Sequence, residues 1–322
     1  MTRRVLVLGG SGFVGRHFIE QLQRADIYVT VPTRRMIAAR ELWPLPFVTP
    51  LEADVTKPDV LARLVPGHDA VINLIGTLHG NQALFARLHG ELPRQLAAAC
   101  TASGVRRVLH VSALGVSADA PSRYLRTKAA GEDALRQVAQ SGALDLTILR
   151  PSVIYGADDR FLNVFARLQR VFPVLAVPCA NARFQPVWVR DVAEALVRCL
   201  SNRDAVGETL ELAGPDVWTL RDLVRSAGKW SGVRGGRGRP VIGLPGALGS
   251  LQALFMEWMP GRPLLSRDNL ASMKVASVAS GKLPGLGALG IQAASLPAVA
   301  PTYLGRDGSI RRLDVYRQMA GR

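Results

Sequence analysis

Short apolar runs alternate with longer segments of helical periodicity through roughly the first 150 of the 322 residues. The predicted strands lie at 5–8, 27–32, 47–48, 69–75 and 107–112, and Val5 to Leu8 is an unbroken apolar run. Unbroken apolar runs are typical of strands buried on both faces, as in a parallel sheet. Their alternation with helical segments such as 83–103 predicts an α/β fold, a doubly wound parallel sheet that binds ligand at the carboxyl ends of its strands.

The segment 5–17 reads VLVLGGSGFVGRH, a strand followed by a glycine turn and the start of a helix. Its glycines suit a backbone that turns tightly, lets a pyrophosphate approach and packs the new helix closely on the strand. The helix N-terminus holds the anion through unpaired N–H groups. The pattern predicts a Rossmann-like dinucleotide site with contacts from Gly9, Ser11, Gly12, Phe13, Val14 and Gly15.

Two arginines follow the second predicted strand, where a site for NAD usually carries an acidic residue for the ribose 2′-hydroxyl. Arg34 and Arg35 match a 2′-phosphate instead, and a charge-assisted bond contributes on the order of 1.5 to 3 kcal/mol. We therefore expect NADP(H) to be preferred over NAD(H), with a solvated basic turn as the alternative. Later strand ends are expected to contribute Asp54, facing the adenine, Val55, Leu74 and Gly76.

Tyr124 and Lys128 stand four positions apart in a stretch without Pro or Gly until Gly131, so on a helix they share one face. A phenol with a pKa of about 10 is a poor acid–base group at neutral pH. A nearby ammonium favours the phenolate and lowers that pKa, and the same lysine can bind a ribose. We predict that the pair is catalytic, with an ordinary surface helix pair as the alternative.

Four segments resemble the extended and atypical short-chain dehydrogenase/reductase superfamily in their order and spacing. They are GGSGFVG, the pair Tyr124 and Lys128, ILRPSVIYG at 148–156 and FQPVWVRDVAEAL at 184–196. More narrowly, HVSALG, PSRYLRTKAAGE, DRFLN and GETLELAGP resemble bacterial relatives of the NADPH-binding accessory subunit nine of the mitochondrial complex I alpha subcomplex. The likeness runs from residue 4 to about residue 304.

The resemblance implies two domains. A dinucleotide-binding domain would cover 1–155, with 184–205 returning to it through a helix that begins near Asp191, and a smaller mixed substrate or interaction domain would cover 156–322. The resemblance also places cofactor contacts at Pro151 and Val153, and the catalytic tyrosine and lysine of the family at Tyr124 and Lys128.

Two positions depart from the family pattern. The catalytic Ser or Thr that follows the fifth strand aligns with Ala113, which leaves Ser112, one position earlier, as the nearest candidate. The asparagine of the family's proton relay aligns with His89, either a relay or a structural histidine. A missing hydroxyl removes one hydrogen bond to the substrate carbonyl, about 1 to 3 kcal/mol, so turnover is expected to be slow or absent.

The composition is strongly basic, with 40 Lys and Arg against 25 Asp and Glu, and the net charge is +15. This balance favours anionic partners: cofactor phosphates, nucleic acid or an acidic membrane surface. Nucleic acid is not expected, because the RGG and Arg-Gly-Arg-Pro strings at 234–240 occur singly and without aromatic support. No metal site is expected from the scattered histidines, and Cys100, Cys179 and Cys199 are expected to be reduced, buried thiols.

The sequence places the protein in the cytoplasm. Only four residues precede the first predicted strand, and no stretch reaches the roughly 18 unbroken apolar residues of a membrane-spanning helix. A peripheral position on the inner face of the cytoplasmic membrane is the alternative.

The segment 241–265 repeats apolar residues at three- and four-residue steps: Leu248, Leu251, Leu254, Phe255, Trp258 and Met259. It predicts a helix over about 246–259, ~21 Å long and too short for a ~30 Å hydrocarbon core. The helix is interpreted as a wall or lid of the substrate pocket, as a protein interface, or as a membrane contact. In the last case Arg234, Arg237, Arg239 and Arg262 would be drawn to anionic lipid.

Two functions remain open from the sequence. The first is an NADP(H)-dependent reductase or epimerase-like enzyme on an unknown small molecule, for which the family context suggests an apolar or quinone-like carbonyl compound. The second is a cofactor-holding structural or assembly protein of a respiratory or quinone-related membrane complex. The retained Tyr124 and Lys128 favour the first, and Ala113 favours the second.

Overall fold

The computed structural model describes residues 4–259, 261 and 263–305, so Arg262, predicted above to face lipid, lies outside the described residues. The described chain forms two compact units. The first comprises 4–151, 189–212 and 279–292, and the second comprises 152–188, 213–278 and 293–305. The segment 279–292 is a return to the first unit that has no counterpart in the predicted boundaries.

The strands are β1 (Arg4–Leu8), β2 (Tyr28–Thr33), β3 (Val48–Glu52), β4 (Ala70–Asn73), β5 (Arg107–Val111), β6 (Asp145–Pro151), β7 (Ile154–Tyr155), β8 (Leu175–Pro178), β9 (Arg183–Phe184), β10 (Val187–Trp188), β11 (Thr209–Leu212), β12 (Trp218–Thr219) and β13 (Val241–Leu244).

The α-helices are α1 (Phe13–Leu22), α2 (Pro58–Leu64), α3 (Gln82–Phe85), α4 (Leu92–Ser103), α5 (Arg123–Gln140), α6 (Leu162–Val171), α7 (Val189–Ser201), α8 (Leu220–Trp230), α9 (Gly246–Trp258), α10 (Arg267–Ser272) and α11 (Leu296–Leu304). A π-helical turn, Ala86–Glu91, joins α3 to α4. Short 3₁₀ turns lie at Gln23–Ala25, Met36–Leu42, Arg203–Ala205 and Leu286–Leu289.

The first unit is built on a seven-stranded sheet in the order β11-β6-β5-β4-β1-β2-β3, and its neighbouring strands are parallel. Val5 of β1 lies opposite Val29 of β2 on one side and opposite Ala70 of β4 on the other. The strand order therefore reverses at β1, and the carboxyl ends of β1 and β4 flank the switch point at which open α/β sheets bind ligands. The predicted doubly wound parallel sheet is confirmed.

Both faces of this sheet are covered by helices, which explains the unbroken apolar runs. Leu6 and Leu8 of β1 pack with Leu61 of α2, Leu96 of α4 and Leu135 of α5 in one buried cluster. Because successive side chains of a strand point to opposite faces, the valines of β1 face the other side, where α1 and α7 pack together.

The second unit contains short paired strands and a separate core. β8 pairs with β13 and β7 with β10 in parallel, whereas β9 and β12 are antiparallel. Leu162 of α6, Leu223 of α8 and Leu296 of α11 belong to one buried cluster. α9 confirms the helix predicted from the apolar steps. Within the described residues, no helix is long and apolar enough to cross a bilayer.

Candidate functional site

The glycine loop after β1 forms a cradle that side chains would obstruct. Gly9 has φ +81°, in the left-handed region, and a Cβ there would lie 3.2 Å from the Ile75 amide nitrogen. A Cβ on Gly15 would lie 2.5 Å from the Cα of Gly10, so α1 can start this close to the turn only with glycine. A Cβ on Gly12 would lie 3.1 Å from the Gly9 carbonyl oxygen. The predicted roles of these glycines in a tight turn and close helix packing agree with this geometry.

The start of α1 is suited to an anion. Gly12 is its N-cap and provides no side-chain cap, and the first turn contains no acidic residue. The first helical bond runs from the Arg16 N–H to the Gly12 carbonyl at 3.0 Å. The N–H groups of Phe13, Val14 and Gly15 precede that bond and point out of the helix end, where the macrodipole favours negative charge. A dinucleotide pyrophosphate fits these donors.

The ends of β2 and β3 bring the predicted adenosine contacts together. Arg34 and Arg35 are exposed, and the Ala53 N–H donates to the Thr33 carbonyl at 2.9 Å. The Asp54 carboxylate accepts from the N–H and the hydroxyl of Thr56, at 3.1 and 2.8 Å. Burial works to raise the pKa of Asp54, but these bonds, with the charges of Arg34 and Lys57, hold it below its ordinary value. The neighbouring Val55 is buried.

The end of β4 completes this edge of the sheet. The Leu74 N–H donates to the Leu8 carbonyl at 2.9 Å, which places the segment 74–76 directly beside the glycine loop. The Ile75 N–H donates to Oδ1 of the buried Asn73 at 3.1 Å. Predicted contacts Leu74 and Gly76 therefore lie next to Gly9, where the backbone of the loop and the strand end approach each other.

The predicted catalytic pair lies on the first two turns of α5. Ser122 caps this helix by accepting from the Leu125 N–H at 3.2 Å. Tyr124 is half-buried, whereas Lys128 is buried and its Nζ donates to the carbonyl oxygen of Val111, the last residue of β5, at 2.7 Å. The lysine thus ties the pair to the carboxyl end of the sheet.

The electrostatics of the pair differ from the prediction. Burial raises the pKa of Tyr124 to about 12. Burial also lowers the pKa of Lys128 to about 8, against the opposing charge of Glu132. The expected depression of the phenol pKa is therefore wrong, because burial penalises the phenolate and the lysine Nζ is engaged by a carbonyl. At neutral pH the structure favours a neutral phenol beside a charged lysine.

A buried ion cluster behind the pair was not predicted. Glu132 is fully buried and accepts from Arg150, Nε to Oε1 at 2.9 Å and Nη2 to Oε2 at 2.5 Å, while Arg136 lies 2.8 Å from Oε2. Burial raises the pKa of Glu132, but Arg150, the nearby Ser112 hydroxyl and the arginine charges outweigh it and hold that pKa below its ordinary value. The position of Glu132, one helical turn after Lys128, is the sequence signal that could have identified it.

The structure places Ser112 next to the ion cluster. Its side chain is buried and lies beside Glu132, and its N–H donates to the Leu149 carbonyl at 2.7 Å. Ala113 is less buried than Ser112. The Ser112 Oγ makes no hydrogen bond within the described residues, so a substrate contact of this hydroxyl stays a prediction.

His89 sits in the π-helical turn and is buried. Its Nε2 accepts from the Thr77 N–H at 3.1 Å, so Nδ1 carries the proton and donates to the Thr127 hydroxyl at 3.2 Å. Burial and the charge of Lys128 lower the pKa of His89 to about 3. A backbone N–H cannot pass on its proton, so these bonds suit the structural alternative better than the predicted relay.

Two aromatic rings, those of Phe85 and His89, fix the position of Tyr124. His89 stacks on Phe85 with centroids 5.5 Å apart, and both rings meet Tyr124 edge-on, at 5.4 and 6.4 Å. Such contacts restrict the ring of Tyr124 to one orientation. The structural histidine therefore positions the predicted catalytic side chain.

The two predicted contacts after the sixth strand fall in different units. The carbonyl of Pro151, at the end of β6 in the first unit, accepts from the Leu114 N–H at 3.0 Å. In the second unit the carbonyl of Val153 accepts from the Val187 N–H, also at 3.0 Å.

The cysteines and acidic groups provide no further chemistry at this site. Cys100 and Cys199 are buried, and burial raises their pKa to about 12 and about 11, whereas Cys179 is half-buried. In the described part of the chain, no group of three or more His, Cys, Asp or Glu side chains could hold a metal ion.

The glycine cradle lies at the switch point of the sheet, and the Tyr/Lys pair lies at the end of β5. Together they are typical of folds that bind a nicotinamide dinucleotide. Residues 5–213 match the NAD dependent epimerase/dehydratase family, and the chain belongs to this family within the short-chain dehydrogenase/reductases. The predicted resemblance is confirmed.

Two relatives extend the similarity over most of the chain. Subunit 9 of the mitochondrial NADH dehydrogenase [ubiquinone] 1 alpha subcomplex from Mus musculus is 33% identical over 323 residues, covering 95% of this chain and 81% of that protein. A ceramide reductase from Caulobacter vibrioides is 32% identical over 237 residues, covering 71% of each.

Solved structures share the fold at low identity. A UDP-glucose 4-epimerase from Thermotoga maritima, solved with UDP-glucose, has a TM-score of 0.72 at 17% identity and covers 96% of this chain and 99% of that chain. The enzyme of the same name from Thermus thermophilus, solved with NAD, has a TM-score of 0.63 at 21% identity and covers 85% and 99%.

Proposed function

We propose that this chain is an NADP(H)-dependent oxidoreductase that reduces the carbonyl group of a small apolar molecule, with Tyr124 as acid and Lys128 as its electrostatic support. One observation carries the proposal: Lys128 anchors the Tyr124 helix to the end of β5, two strands from the glycine cradle. The family name, and the NAD in the Thermus thermophilus structure, support the dinucleotide.

The residues support chemistry in the reductive direction. When bound, the cofactor supplies a hydride. Tyr124 carries its proton at neutral pH and donates it to the carbonyl oxygen. Burial raises its pKa to about 12, so the phenol by itself is a weak acid and the transfer depends on the charge of Lys128. Lys128, cationic below pH ~8, then stabilises the phenolate that remains. The aromatic contacts with Phe85 and His89 hold the phenol in place for that transfer.

The basic end of β2 supports NADP(H) over NAD(H). Arg34 and Arg35 are exposed at the strand end where the adenosine ribose would lie, and Thr33 is the last residue of the strand. Guanidinium groups bind phosphate through charge-assisted hydrogen bonds. The carboxylate of Asp54, close enough to feel the charge of Arg34, would complete this end of the site.

A second candidate function is that of a cofactor-holding subunit with little turnover. Two observations favour it: the similarity to the mouse complex I subunit spans 95% of this chain, and Ala113 provides no hydroxyl for a carbonyl substrate. The name of the Caulobacter vibrioides relative, ceramide reductase, supports reduction of an apolar substrate instead.

The substitution Tyr124→Phe separates the two functions. In the native chain, NADPH oxidation is measured with a panel of apolar ketones and quinones, and NADPH binding is measured by thermal shift. We expect the variant to lose turnover at least 100-fold, because the exchangeable proton is gone, while binding NADPH as before. Tyr28→Phe, at an exposed tyrosine of the same unit, is the matched control.

Native protein that binds NADPH but turns over none of the panel would favour the cofactor-holding function. Turnover that persists in Tyr124→Phe would show that Tyr124 is not the acid.

A further inference from the structure

The helix α9 packs against the second unit through its small side chains. A Cβ on Gly249 would lie 2.6 Å from Cβ of Pro178, which shows how closely the helix approaches the end of β8. Ala253 is fully buried, and the Gln252 Nε2 donates to the Ala176 carbonyl at 3.4 Å. The buried side of α9 therefore consists of glycine and alanine.

The large apolar side chains of α9 point outward instead. Phe255 is 70% exposed and Trp258 is 83% exposed. Leu248, Leu251 and Met259 are also exposed, and the positions 248, 251, 255 and 258 form one stripe of the helix. A helix that serves only as the wall of a buried pocket would turn these residues inward. Their exposure argues for a contact with something outside the chain. Among the described residues of 241–265, the predicted pocket wall is limited to residues 243–246, which line a cavity of about 630 Å³.

The direction of α9 brings the exposed aromatic residues to one end of the small sheet. Gly249 lies beside Pro178 and Gln252 beside Ala176, so the helix runs opposite to β8. Trp258 lies ~9 Å further along the helix axis. That distance exceeds the ~7 Å from Ala176 back to Val174. Trp258 therefore lies just beyond the start of β8, where the Leu175 N–H donates to the Pro240 carbonyl at 3.0 Å.

Further exposed apolar residues occupy the same end. Val171, Phe172 and Val174, immediately before β8, are 72%, 50% and 45% exposed. Together with Phe255 and Trp258 they form what we call the docking face. Exposed apolar residues concentrated at one place on a domain are typical of an interaction surface.

The segment 231–240, which we call the basic loop, joins α8 to β13. It adjoins the docking face because it leads directly into Pro240 and β13. Arg225, Lys229, Arg234, Arg237 and Arg239 line a cavity of about 390 Å³. The loop is held in shape by buried Gln169, whose Oε1 accepts from the Arg239 N–H at 2.6 Å. The arginines of the loop are thus presented by a defined segment and not by a free tail.

The segment that contains the basic loop and most of α9 carries no acidic residue. The sequence from Lys229 to Met256 contains no Asp or Glu. The next acid, Glu257, binds Arg267 of α10, Nε to Oε2 at 2.9 Å, and accepts from the Arg267 N–H at 2.7 Å. A surface that combines exposed aromatic rings with unopposed cations is complementary to an anionic lipid interface.

We infer that the docking face and the basic loop form a membrane-docking site for a bilayer with anionic phospholipid headgroups, on the inner face of the cytoplasmic membrane. Trp258 and Phe255 insert at headgroup depth, while Arg225 and Lys229 of α8 and the three arginines of the loop meet lipid phosphates. The 13-residue helix α9 lies in the interface, since ~20 Å cannot span the ~30 Å hydrocarbon core. This inference is independent of the proposed reductase activity.

Flotation of the full chain with vesicles tests the inference. Vesicles of phosphatidylcholine containing about one third phosphatidylglycerol are compared with vesicles of phosphatidylcholine alone. We expect flotation with the anionic vesicles at low salt, at least tenfold weaker binding to the neutral ones, and loss at 0.5 M salt, because surface attraction is screened.

Two variants with matched controls locate the site. Phe255→Ser/Trp258→Ser is expected to bind anionic vesicles at least tenfold more weakly, whereas Trp43→Ser/Tyr28→Ser, at exposed aromatic residues of the first unit, binds like the native chain. Arg234→Gln/Arg237→Gln is expected to weaken binding roughly tenfold. Arg63→Gln/Arg94→Gln removes the same charge from exposed side chains elsewhere and serves as its control.

A measurement on the native chain decides the matter even if a variant fails to fold. Brominated lipid in the anionic vesicles is expected to quench tryptophan emission, and the quenched fraction is expected to disappear in Trp258→Phe. Absence of flotation at low salt, equal loss in the matched controls, or quenching that persists in Trp258→Phe would each overturn the inference. If the chain does not bind the anionic vesicles, the docking face is better explained as a contact with a protein partner.

Discussion

Lys128 is a buried cation. The negative charge of Glu132, one turn later on α5, raises its pKa, but Glu132 also forms ion pairs with two arginines. This arrangement allows one side chain both to hold two elements together and to support the proposed proton transfer. Its Nζ holds the end of β5 through the Val111 carbonyl, while its charge remains next to the turn that carries Tyr124. Removing water from the ammonium is the cost of that position, and it appears as the lowered pKa.

We expect the stability of the chain to depend on pH through Lys128. Its folded pKa is about 8 against an ordinary 10.5, so between these values the unfolded chain binds more protons and the free energy of unfolding rises with pH. Below pH ~8 the buried lysine is charged, and its full desolvation cost lowers the free energy of unfolding. Relative to native protein, Lys128→Met should therefore lose roughly 2 kcal/mol of stability between pH 8 and 10 in denaturant titrations.

Lys57→Met, which removes an exposed lysine, controls for the loss of one positive charge in that comparison. A difference between Lys128→Met and native protein that stays constant from pH 8 to 10 would contradict the expected titration.

The two arginines after β2 are expected to discriminate between the cofactors. In Arg34→Ala/Arg35→Ala we expect the thermal shift with NADPH to fall to that with NADH, a loss of at least tenfold in affinity or about 1.4 kcal/mol at saturation. Binding of NADH should be nearly unchanged, because it has no 2′-phosphate. Arg94→Ala, at a side chain 72% exposed on α4, is the control. Equal thermal shifts with NADPH and NADH in the native chain would show that the two arginines do not discriminate between the cofactors.

Part of the candidate site could be predicted residue by residue and part could not. Glycine spacing and the Tyr/Lys interval are local patterns, so Gly9, Gly15, Tyr124 and Lys128 could be identified before any contact was known. The burial of Ser112 and the bonds of His89 depend on residues far away in sequence, among them Thr77 and Glu132. Alignment by position alone could not show that both side chains face inward.

At the scale of elements, the contact between α5 and the π-helical turn holds the predicted catalytic tyrosine. A Cβ on Gly131 would lie 1.9 Å from the His89 carbonyl oxygen, so the two backbones approach as only glycine permits. π-helical turns often occur at functional sites. Here the turn directs His89 toward Tyr124 and toward the Thr77 N–H at the end of β4.

We expect Gly131→Ala to destabilise the chain by roughly 1 to 3 kcal/mol, because a backbone atom must move. The variant Gly90→Ala is the matched control, since a Cβ at Gly90, in the same turn, meets no atom within 4 Å. Thermal melting measures both. A Gly131→Ala chain as stable as Gly90→Ala would show that the approach of the two backbones is not tight.

Periodicity identified β1 to β5 and α9, but it could not determine which way α9 faces. The three- and four-residue steps of Leu248, Leu251 and Phe255 fit a helix with a buried apolar side equally well. The contact between Gly249 and Pro178 reverses that assignment, because the helix packs through its smallest residues. Likewise, the periodicity predicts a single helical segment over 83–103, and the π-helical turn Ala86–Glu91 within it was not predicted.

At the scale of the whole molecule, the first unit was predictable because its sheet is parallel. Strands covered on both faces are marked by unbroken apolar runs, and the glycine loop fixes the switch point. The second unit has two-residue strands such as β7 and β10, too short to produce a period. The return of 279–292 to the first unit depends on tertiary bonds, among them the Ser280 N–H to Glu211 Oε2 at 2.6 Å.

The cysteines differ in a way that is useful for spectroscopy. Burial leaves Cys100 with roughly a thousandfold less thiolate than an ordinary thiol at the same pH, and Cys199 is similarly protected. Cys179, immediately after β8, is half-buried. A limiting amount of maleimide dye should therefore label Cys179 first and give the native chain a single fluorescent marker on its second unit, without any engineered cysteine.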